Sequence, residues 1–121
     1  MICEIEGEVV KGKQIGRTLG FPTANVREDD PVTVKYGVYA GRIYFDGEEH
    51  YCVVNIGRHP TLPEGDPTIE AHILDFSGDL YFKRVRLELE AFMREETRFD
   101  SLDALKSQLK ADCERARGLA Q

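Results

Sequence analysis

Long hydrophobic runs, an excess of positive charge and closely spaced cysteines are all missing from this sequence. No apolar run approaches the roughly 20 residues that a membrane-spanning helix needs. The first residues, Met-Ile-Cys-Glu-Ile-Glu, lack the positive start and the apolar stretch of a signal peptide. We therefore expect a cytoplasmic protein that does not span a membrane.

Basic residues are outnumbered by acidic ones. The chain has 22 aspartates and glutamates against 16 lysines and arginines, which gives a net charge of −6 at pH 7. A chain with this charge has no sequence-independent attraction to phosphate backbones or anionic lipids. Neither a nucleic-acid partner nor a membrane partner is expected.

The three cysteines, Cys3, Cys52 and Cys113, are widely spaced and form no Cys-x-x-Cys pattern. Their odd number and their spacing argue against both a disulfide framework and a zinc site. We expect three reduced thiols with structural roles.

The composition that remains is that of one globular domain spanning residues 1–121. Apolar residues make up 41% of the chain and charged residues 31%, so the apolar content is well above that of a disordered segment. A chain of this length fits a single domain with a single core.

Most of the sequence has the period of a β-strand. Apolar and small residues alternate with glutamates over residues 3–9, which predicts a strand with one solvated face. Residues 36–45 are rich in β-branched and aromatic side chains and end at Asp46-Gly47, a dipeptide suited to a tight hairpin turn. Residues 51–56 are then the predicted return strand.

Two further extended runs, residues 68–76 and 80–93, flank Ser77-Gly78-Asp79 and predict a second hairpin. Residues 11–34 and 57–67 fit no period and contain several glycines and prolines, so both are predicted to be loops. Loops of this length are uncommon in a small domain unless they carry function.

Only the C-terminal segment has the period of a helix. Leu102, Leu105, Leu109, Cys113 and Ala116 fall on one face, and Asp100 or Ser101 can cap the first turn, which Asp103 makes more negative. About six strands without intervening helices predict an antiparallel sheet, and closing it removes edges that a short chain could not otherwise cover. The fold class is therefore mainly β, a six-stranded antiparallel Greek-key barrel with a C-terminal helix.

The first long loop carries the clearest chemical signal. Gly12, Gly16 and Gly20 allow backbone N–H groups to approach a ligand closely, and Lys13 and Arg17 add positive charge. Phosphate is the ligand that fits, although the pattern is not a Walker A loop. The alternative is an ordinary surface loop.

Directly after these glycines, Pro22, Thr23 and Asn25 place a hydroxyl and an amide oxygen two residues apart. Hard oxygen donors of this kind suit Mg²⁺ that is already bound to phosphates. The alternative is a turn that these side chains close by hydrogen bonding to the backbone.

At this point the sequence resembles the riboflavin kinase (flavokinase) family. The most specific element is GRTLGFPTAN at residues 16–25, and shorter elements follow in the family's order along nearly the whole chain. These elements are Gly7-x-Val9-Val10-x-Gly12, Gly37-Val38-Tyr39, Asn55-Ile56-Gly57 with Pro60-Thr61, Glu70-Ala71-His72-Ile73, Asp79-Leu80-Tyr81, and Arg94 leading to Phe99-Asp100-Ser101-Leu102. The family's fold is also a six-stranded antiparallel barrel with a C-terminal helix.

The resemblance implies that ATP phosphorylates the ribityl 5′-hydroxyl of riboflavin to give FMN and ADP. It implies that Thr23 and Asn25 hold Mg²⁺ with the nucleotide and that Glu70 is the catalytic base. The remaining nucleotide-binding residues that it implies are Gly12, Gly16, Arg17, Gly20, Pro22 and Asn55. The strand pattern puts Glu70 and His72 on one face with Leu74 and Phe76. A glutamate at a strand start is otherwise most often a solvated edge residue, and His72 is interpreted as structural.

For the flavin, the resemblance implies contacts from Tyr81, Arg94, Phe99, Leu102 and Leu105, with the start of the helix as a lid. An apolar and aromatic wall is what a three-ring heterocycle requires. Packing of the helix on the barrel is the alternative explanation for the leucines. The family usually has glycine at the position of Phe82, so this residue is expected to change the turn or the edge of the flavin site.

In most bacteria this module resembles the C-terminal half of a bifunctional FAD synthetase. Because the sequence starts at the kinase signature, a standalone monomeric enzyme that stops at FMN is expected if the chain is a whole gene product. Two other functions stay open. One is a catalytically silent flavin- or nucleotide-binding module derived from the kinase, which would be expected to lack Thr23, Asn25 or Glu70. The other is a small nucleic-acid-binding barrel, which the net charge opposes.

Overall fold

A computed structural model of the chain describes residues 1–10, 23–57, 68–78, 80–96 and 101–120. These ranges contain six strands that pair in antiparallel fashion and close into a barrel in the order β1-β2-β5-β4-β3-β6. The predicted six-stranded antiparallel barrel with a C-terminal helix is confirmed. The elements are β1 (Cys3–Val10), β2 (Thr23–Glu28), β3 (Gly37–Phe45), β4 (Glu48–Gly57), β5 (Thr68–Ile73), β6 (Arg84–Arg94) and α1 (Leu102–Ala120).

The apolar side chains form two clusters on the two sides of the barrel wall. The interior cluster fills the barrel and includes Ile5, Val26, Ile43, Val54 and Leu87. The outer cluster lies between the barrel wall and α1, so the helix covers one part of the outer surface. The buried members of the outer cluster are Val38, Ala40, Val53, Leu74, Met93 and Ala116.

A register shift in β6 moves this strand from one cluster to the other. Gly41 of β3 pairs with Leu89, whereas the preceding residue Ala40 pairs with Ala91, so Glu90 is an extra residue on β6. An extra residue in a strand of period two turns the side chains after it to the opposite face, so Leu89 belongs to the interior cluster and Ala91 packs against the outer cluster. A second shift, between Val38 and Tyr39, makes Met93 an extra residue as well, and Arg94 pairs with Val38 on the outer side.

The hairpin predicted at Asp46-Gly47 is confirmed. Both residues have positive φ, 50° and 76°, and they join β3 directly to β4. Positive φ at both central positions matches the twist of a two-residue hairpin. The ammonium group of Lys83 also reaches Oδ2 of Asp46 at 2.6 Å.

Two of the element predictions are wrong. Strand β2 lies inside the segment that was predicted to be entirely loop. Only Ala24 and Val26 are buried apolar residues of β2, so six residues carry too short an alternation to stand out. The second hairpin does not exist, because β5 pairs with β2 and β4 while β6 pairs with β1 and β3. Closure of the barrel places β5 between β4, which precedes it in the chain, and β2, which is distant in sequence.

The turn before β6 holds Phe82 in an unusual conformation. The amide of Lys83 donates to the carbonyl of Leu80 at 3.0 Å, and the amide of Phe82 donates to the carbonyl of Val9 at 2.7 Å. Phe82 has φ of 68°, and the residue is 68% exposed. The left-handed region costs a residue with a Cβ about 1–2 kcal/mol. Phe82 therefore stands at a turn position where glycine would carry no strain, and its effect on the flavin edge stays a prediction.

We expect Phe82→Gly to raise the free energy of unfolding by about 0.5–1 kcal/mol, because glycine removes the left-handed strain. Phe82→Val should lower the same free energy, since a branched Cβ tolerates positive φ least. Denaturant unfolding of the two variants beside the unmodified chain measures both changes. A glycine variant less stable than the valine variant would contradict the backbone explanation.

Candidate active site

A row of residues crosses the outer surface of the barrel in register. Asn25 of β2 pairs with Glu70 of β5, and Glu70 pairs with Asn55 of β4. Asn55 pairs in turn with Val38, and Val38 with Arg94. Directly opposite residues share a face with Cβ atoms about 5 Å apart. Since Val38 belongs to the outer cluster, the whole row faces outward, and Glu70 is flanked by two carboxamides.

A second pair lies beside this row. Thr23 of β2 is directly opposite His72 of β5, and the Thr23 Oγ1 atom is 3.1 Å from the His72 Nδ1 atom. His72 is 5% exposed. Burial lowers the pKa of its imidazole to about 4, and the negative charge of Asp112, which raises the pKa, offsets only part of this effect. The ring is therefore neutral at neutral pH.

Asn25 carries a buried side-chain nitrogen, Nδ2, that finds no hydrogen-bond acceptor among the described residues. A buried polar atom of this kind is costly without a partner. The two orientations of a carboxamide differ only in which atom occupies this position. A phosphate oxygen could accept from the nitrogen, and a cation could bind the oxygen after the amide turns over. The residue therefore fits a metal–nucleotide ligand.

Arg94, at the far end of the row, is engaged with α1. Its Nε atom donates to Oδ1 of Asp112 at 3.2 Å, and a terminal nitrogen donates to Oδ2 at 2.8 Å. Asp112 is 3% exposed and accepts a further hydrogen bond from Gln108 at 2.9 Å. A carboxylate on a buried helix face requires such partners. The pair therefore fixes the helix against the last strand of the row.

The predicted flavin-binding residues do not all come together. Tyr81 packs against the interior cluster in the turn before β6, whereas Arg94 ends that strand. The strand between them is roughly 30 Å long at about 3.3 Å per residue. Tyr81 instead lies near the end of β1, because its neighbour Phe82 bonds to Val9. Leu105 is half-buried in the first turns of α1.

Several predicted positions lie outside the described residues. These are Gly12, Gly16, Arg17, Gly20 and Pro22 of the glycine-rich loop, together with Phe99 and the side chain of Leu102. Their roles stay predictions. Thr23, Asn25, Asn55 and Glu70 are the described residues from the nucleotide and catalytic sets.

One part of the predicted face around Glu70 is wrong. Leu74 shares the outer face with Glu70 and His72, because it belongs to the outer cluster. Phe76 packs instead against the interior cluster and makes an edge contact with Phe45 at 5.1 Å between ring centroids. β5 ends at Ile73, and Asp75 has positive φ, so the period of two ends before Phe76.

Two residues were missed by the sequence reasoning. His72 was interpreted as structural only, and nothing in the local pattern predicts its contact with Thr23. Asp112 was not singled out, although an acid within the stripe of Leu109 and Ala116 is itself a signal, because such an acid needs a buried partner. Arg94 could not be identified as that partner from spacing alone.

Burial is the largest influence on the pKa values of the three cysteine thiols. All three thiols are free, and burial raises the pKa of Cys113 to about 11. Within the described ranges no three His, Cys, Asp or Glu side chains form a group that could hold a metal ion. Over the same ranges, no helix has the length and apolar character to cross a bilayer.

The predicted cap of α1 is present. The Ser101 hydroxyl accepts from the Ala104 amide at 3.1 Å, so Ser101 caps α1.

A partly exposed carboxylate between two carboxamides can accept a proton beside groups that hydrogen bond to phosphate, and phosphoryl transfer to a hydroxyl group uses both. Comparison with known proteins identifies the family. The riboflavin kinase (flavokinase) family model matches residues 2–120, and the chain belongs to this family.

Two curated relatives illustrate the match. The chain is 44% identical over 120 residues to the bifunctional riboflavin kinase/FMN adenylyltransferase of Pseudomonas fluorescens, covering 96% of this chain and 38% of the relative. It is 43% identical over 110 residues to the RNA-binding riboflavin kinase RibR of Bacillus subtilis (strain 168), covering 89% of this chain and 47% of the relative. The chain thus spans less than half of the length of either protein.

Two solved structures share the fold. The riboflavin kinase of Trypanosoma brucei superposes with a TM-score of 0.62 at 26% identity, covering 95% of this chain and 77% of that chain. A Streptococcus pneumoniae protein described as a macrolide-efflux protein superposes with a TM-score of 0.86 at 34% identity, covering 94% of this chain and 38% of that chain.

Proposed function

We propose that this chain is a riboflavin kinase, which transfers the γ-phosphoryl group of ATP to the ribityl 5′-hydroxyl of riboflavin and releases FMN and ADP. The observation that carries this proposal is the row in which Glu70 is directly opposite both Asn25 and Asn55. Family membership supplies the substrates. The row supports the reaction, because it holds a carboxylate beside amide groups that can bind phosphate.

Glu70 has the role of general base in this proposal. Phosphoryl transfer depends mostly on positioning and on charge neutralisation, with a carboxylate that accepts the proton of the attacking hydroxyl. Glu70 is partly exposed on the outer surface, so a substrate hydroxyl can approach it. Asn25 and Asn55, one on each side, can orient phosphate oxygens with their amide N–H groups.

Thr23 and Asn25 are the residues that would hold Mg²⁺ together with the nucleotide. Their hydroxyl and amide groups are hard donors, and the unsatisfied amide of Asn25 fits such a ligand. When bound, the ion would neutralise charge on the transferring phosphoryl group. The glycine-rich segment that ends immediately before Thr23 would supply backbone N–H groups to the phosphates.

The flavin would bind toward α1. Arg94 stands at the helix end of the row, and Phe99, Leu102 and Leu105 follow it in sequence. The proposal assigns these four residues to the flavin side. Tyr81 lies at the other end of β6, near the point where the glycine-rich segment leaves β1, so the proposal leaves it out of the flavin set.

The silent binding module is not favoured. A module that had lost catalysis would be expected to have lost Thr23, Asn25 or Glu70, and this chain has all three. We further propose that the protein acts as a monomer in the cytoplasm, without a nucleic-acid partner.

The proposed function is tested by incubating the purified chain with riboflavin, ATP and Mg²⁺ and separating the flavins chromatographically. We expect FMN and ADP in equal amounts. Reactions without riboflavin or with excess EDTA are the controls, and both should give no FMN. Flavin that binds to the protein but stays unphosphorylated would contradict the proposal and favour the binding module.

A further inference from the structure

Thr23 and His72 form a contact that the proposed reaction leaves unassigned. Their cross-strand pairing fixes the two backbones, and the 3.1 Å separation between Oγ1 and Nδ1 is that of a hydrogen bond. Among the described residues, His72 and Asp112 are the two buried residues with polar or charged side chains. Because the buried imidazole contacts a candidate ligand residue, packing alone does not account for its position.

The direction of this hydrogen bond decides what Thr23 can do. A hydroxyl group has one proton and two acceptor lone pairs, and a neutral imidazole has one donor and one acceptor nitrogen. If Nδ1 accepts, the hydroxyl proton is held in the bond with the ring, and the oxygen lone pairs point away from His72. If Nδ1 donates, one lone pair is used by the ring and the proton points outward. The first arrangement leaves both lone pairs on the side away from the ring, whereas the second leaves one lone pair and the proton there, so the first suits a cation better.

Burial favours the neutral ring that this arrangement needs. His72 lies on the face of β5 that carries Leu74 and the outer cluster, where a charged ring would be poorly solvated. A neutral ring has one nitrogen without a proton, and Nδ1 is the ring nitrogen that lies within hydrogen-bonding distance of the Thr23 hydroxyl.

We propose that His72 is a positioning residue. Its Nδ1 atom accepts a hydrogen bond from the Thr23 hydroxyl group, and this bond orients the Thr23 oxygen toward the metal–nucleotide. This inference rests on the proposed function for the identity of the ligand, and it adds a residue that acts through Thr23 without touching substrate. It is specific about the atom: Nδ1 carries no proton, and Nε2 carries one.

The tautomer can be read directly from the unmodified chain. Long-range nitrogen–proton NMR spectra distinguish a protonated ring nitrogen from an unprotonated one. We expect His72 to show an unprotonated Nδ1 and a protonated Nε2, both without ligands and with Mg²⁺–ADP. A protonated Nδ1 would overturn the inference. If the chain makes FMN and Nδ1 is protonated, only this inference fails, whereas a chain that makes no FMN contradicts the proposed function itself.

Substitutions at His72 test whether the contact matters for the ligand. Asparagine places its terminal atoms near Nδ1, and glutamine places them near Nε2. We expect His72→Gln to weaken Mg²⁺–ADP binding about tenfold, the usual effect of one lost hydrogen bond. His72→Asn should stay within about threefold of the unmodified chain. Titration calorimetry with Mg²⁺–ADP, and with ADP in EDTA, separates metal-dependent from metal-independent binding, and the loss should appear only with the metal.

A double-mutant cycle separates positioning from a general structural role. In the Thr23→Ala background, His72→Gln should cause no further loss of Mg²⁺–ADP affinity, because His72 acts through the hydroxyl that is already absent. Thermal unfolding of each variant shows whether the fold is intact. If any variant fails to fold, the NMR result on the unmodified chain still decides. Equal losses in the two backgrounds, or equal losses with asparagine and glutamine, would overturn the inference.

Discussion

Glu70→Gln should lower kcat by ~10²–10⁴-fold while riboflavin and Mg²⁺–ATP still bind, because the amide keeps the shape of the side chain but cannot accept a proton. This loss corresponds to about 3–5 kcal/mol of transition-state stabilisation. A loose transition state, in which the proton moves late, would place the effect at the lower end of the range.

The position of Glu70 makes this result specific to catalysis. Asn25 and Asn55 lie opposite it on both neighbouring strands, so the three side chains share one surface, and a glutamine there meets two other carboxamides. An amide can hydrogen bond to both neighbours as donor or acceptor. The variant should therefore keep the geometry of the row and lose only the base.

Single-turnover and steady-state kinetics, with binding measured separately, test this expectation. Thermal unfolding must accompany the kinetics so that a loss of stability is not mistaken for a loss of catalysis. The matched control is Glu4→Gln, which makes the same chemical change at an exposed position of β1 and should leave kcat unchanged. Near-full kcat in Glu70→Gln would show that the base is another group.

The general form of this fold could be predicted from the sequence because most strands repeat with a period of two. β1 and the first part of β6 alternate in burial, β3 is rich in β-branched and aromatic residues, and the hairpin dipeptide marks one connection. β2 was missed because it is short and its outer positions carry polar residues, including Asn25. Asn25 is also a proposed ligand residue, so the same feature that hides the strand carries the proposed chemistry.

The candidate site could be predicted only in part. The motif around Thr23 and Asn25, and the position of Glu70, could be taken from the sequence and the family resemblance. Their pairing in one row could not, because Asn25 and Glu70 are 45 positions apart in the printed chain and register is set by closure of the barrel. The shift at Glu90, which turns Ala91 toward the outer cluster, has no local sequence signal either.

The buried ion pair between strand and helix gives the largest expected effect on stability. Asp112→Ala should lower the free energy of unfolding by about 3 kcal/mol, because it leaves the guanidinium group of Arg94 mostly buried without its bidentate partner. The hydrogen bond from Gln108 is lost as well. For a domain of this size, the melting temperature should fall by roughly 10–15 °C.

Two further variants separate the effect of losing the ion pair from the effect of losing one negative charge. Glu114→Ala removes the same charge from an exposed position two residues along α1, and its effect should stay within about 0.5 kcal/mol. Replacing both partners, with Arg94→Met and Asp112→Leu, should recover most of the lost stability, because no buried charge then lacks a partner. Denaturant unfolding measures all of these changes. A double variant as unstable as Asp112→Ala alone would mean that Asp112 stabilises the helix through contacts other than Arg94, and a loss no greater than that of Glu114→Ala would mean that the pair does not hold α1 on the barrel.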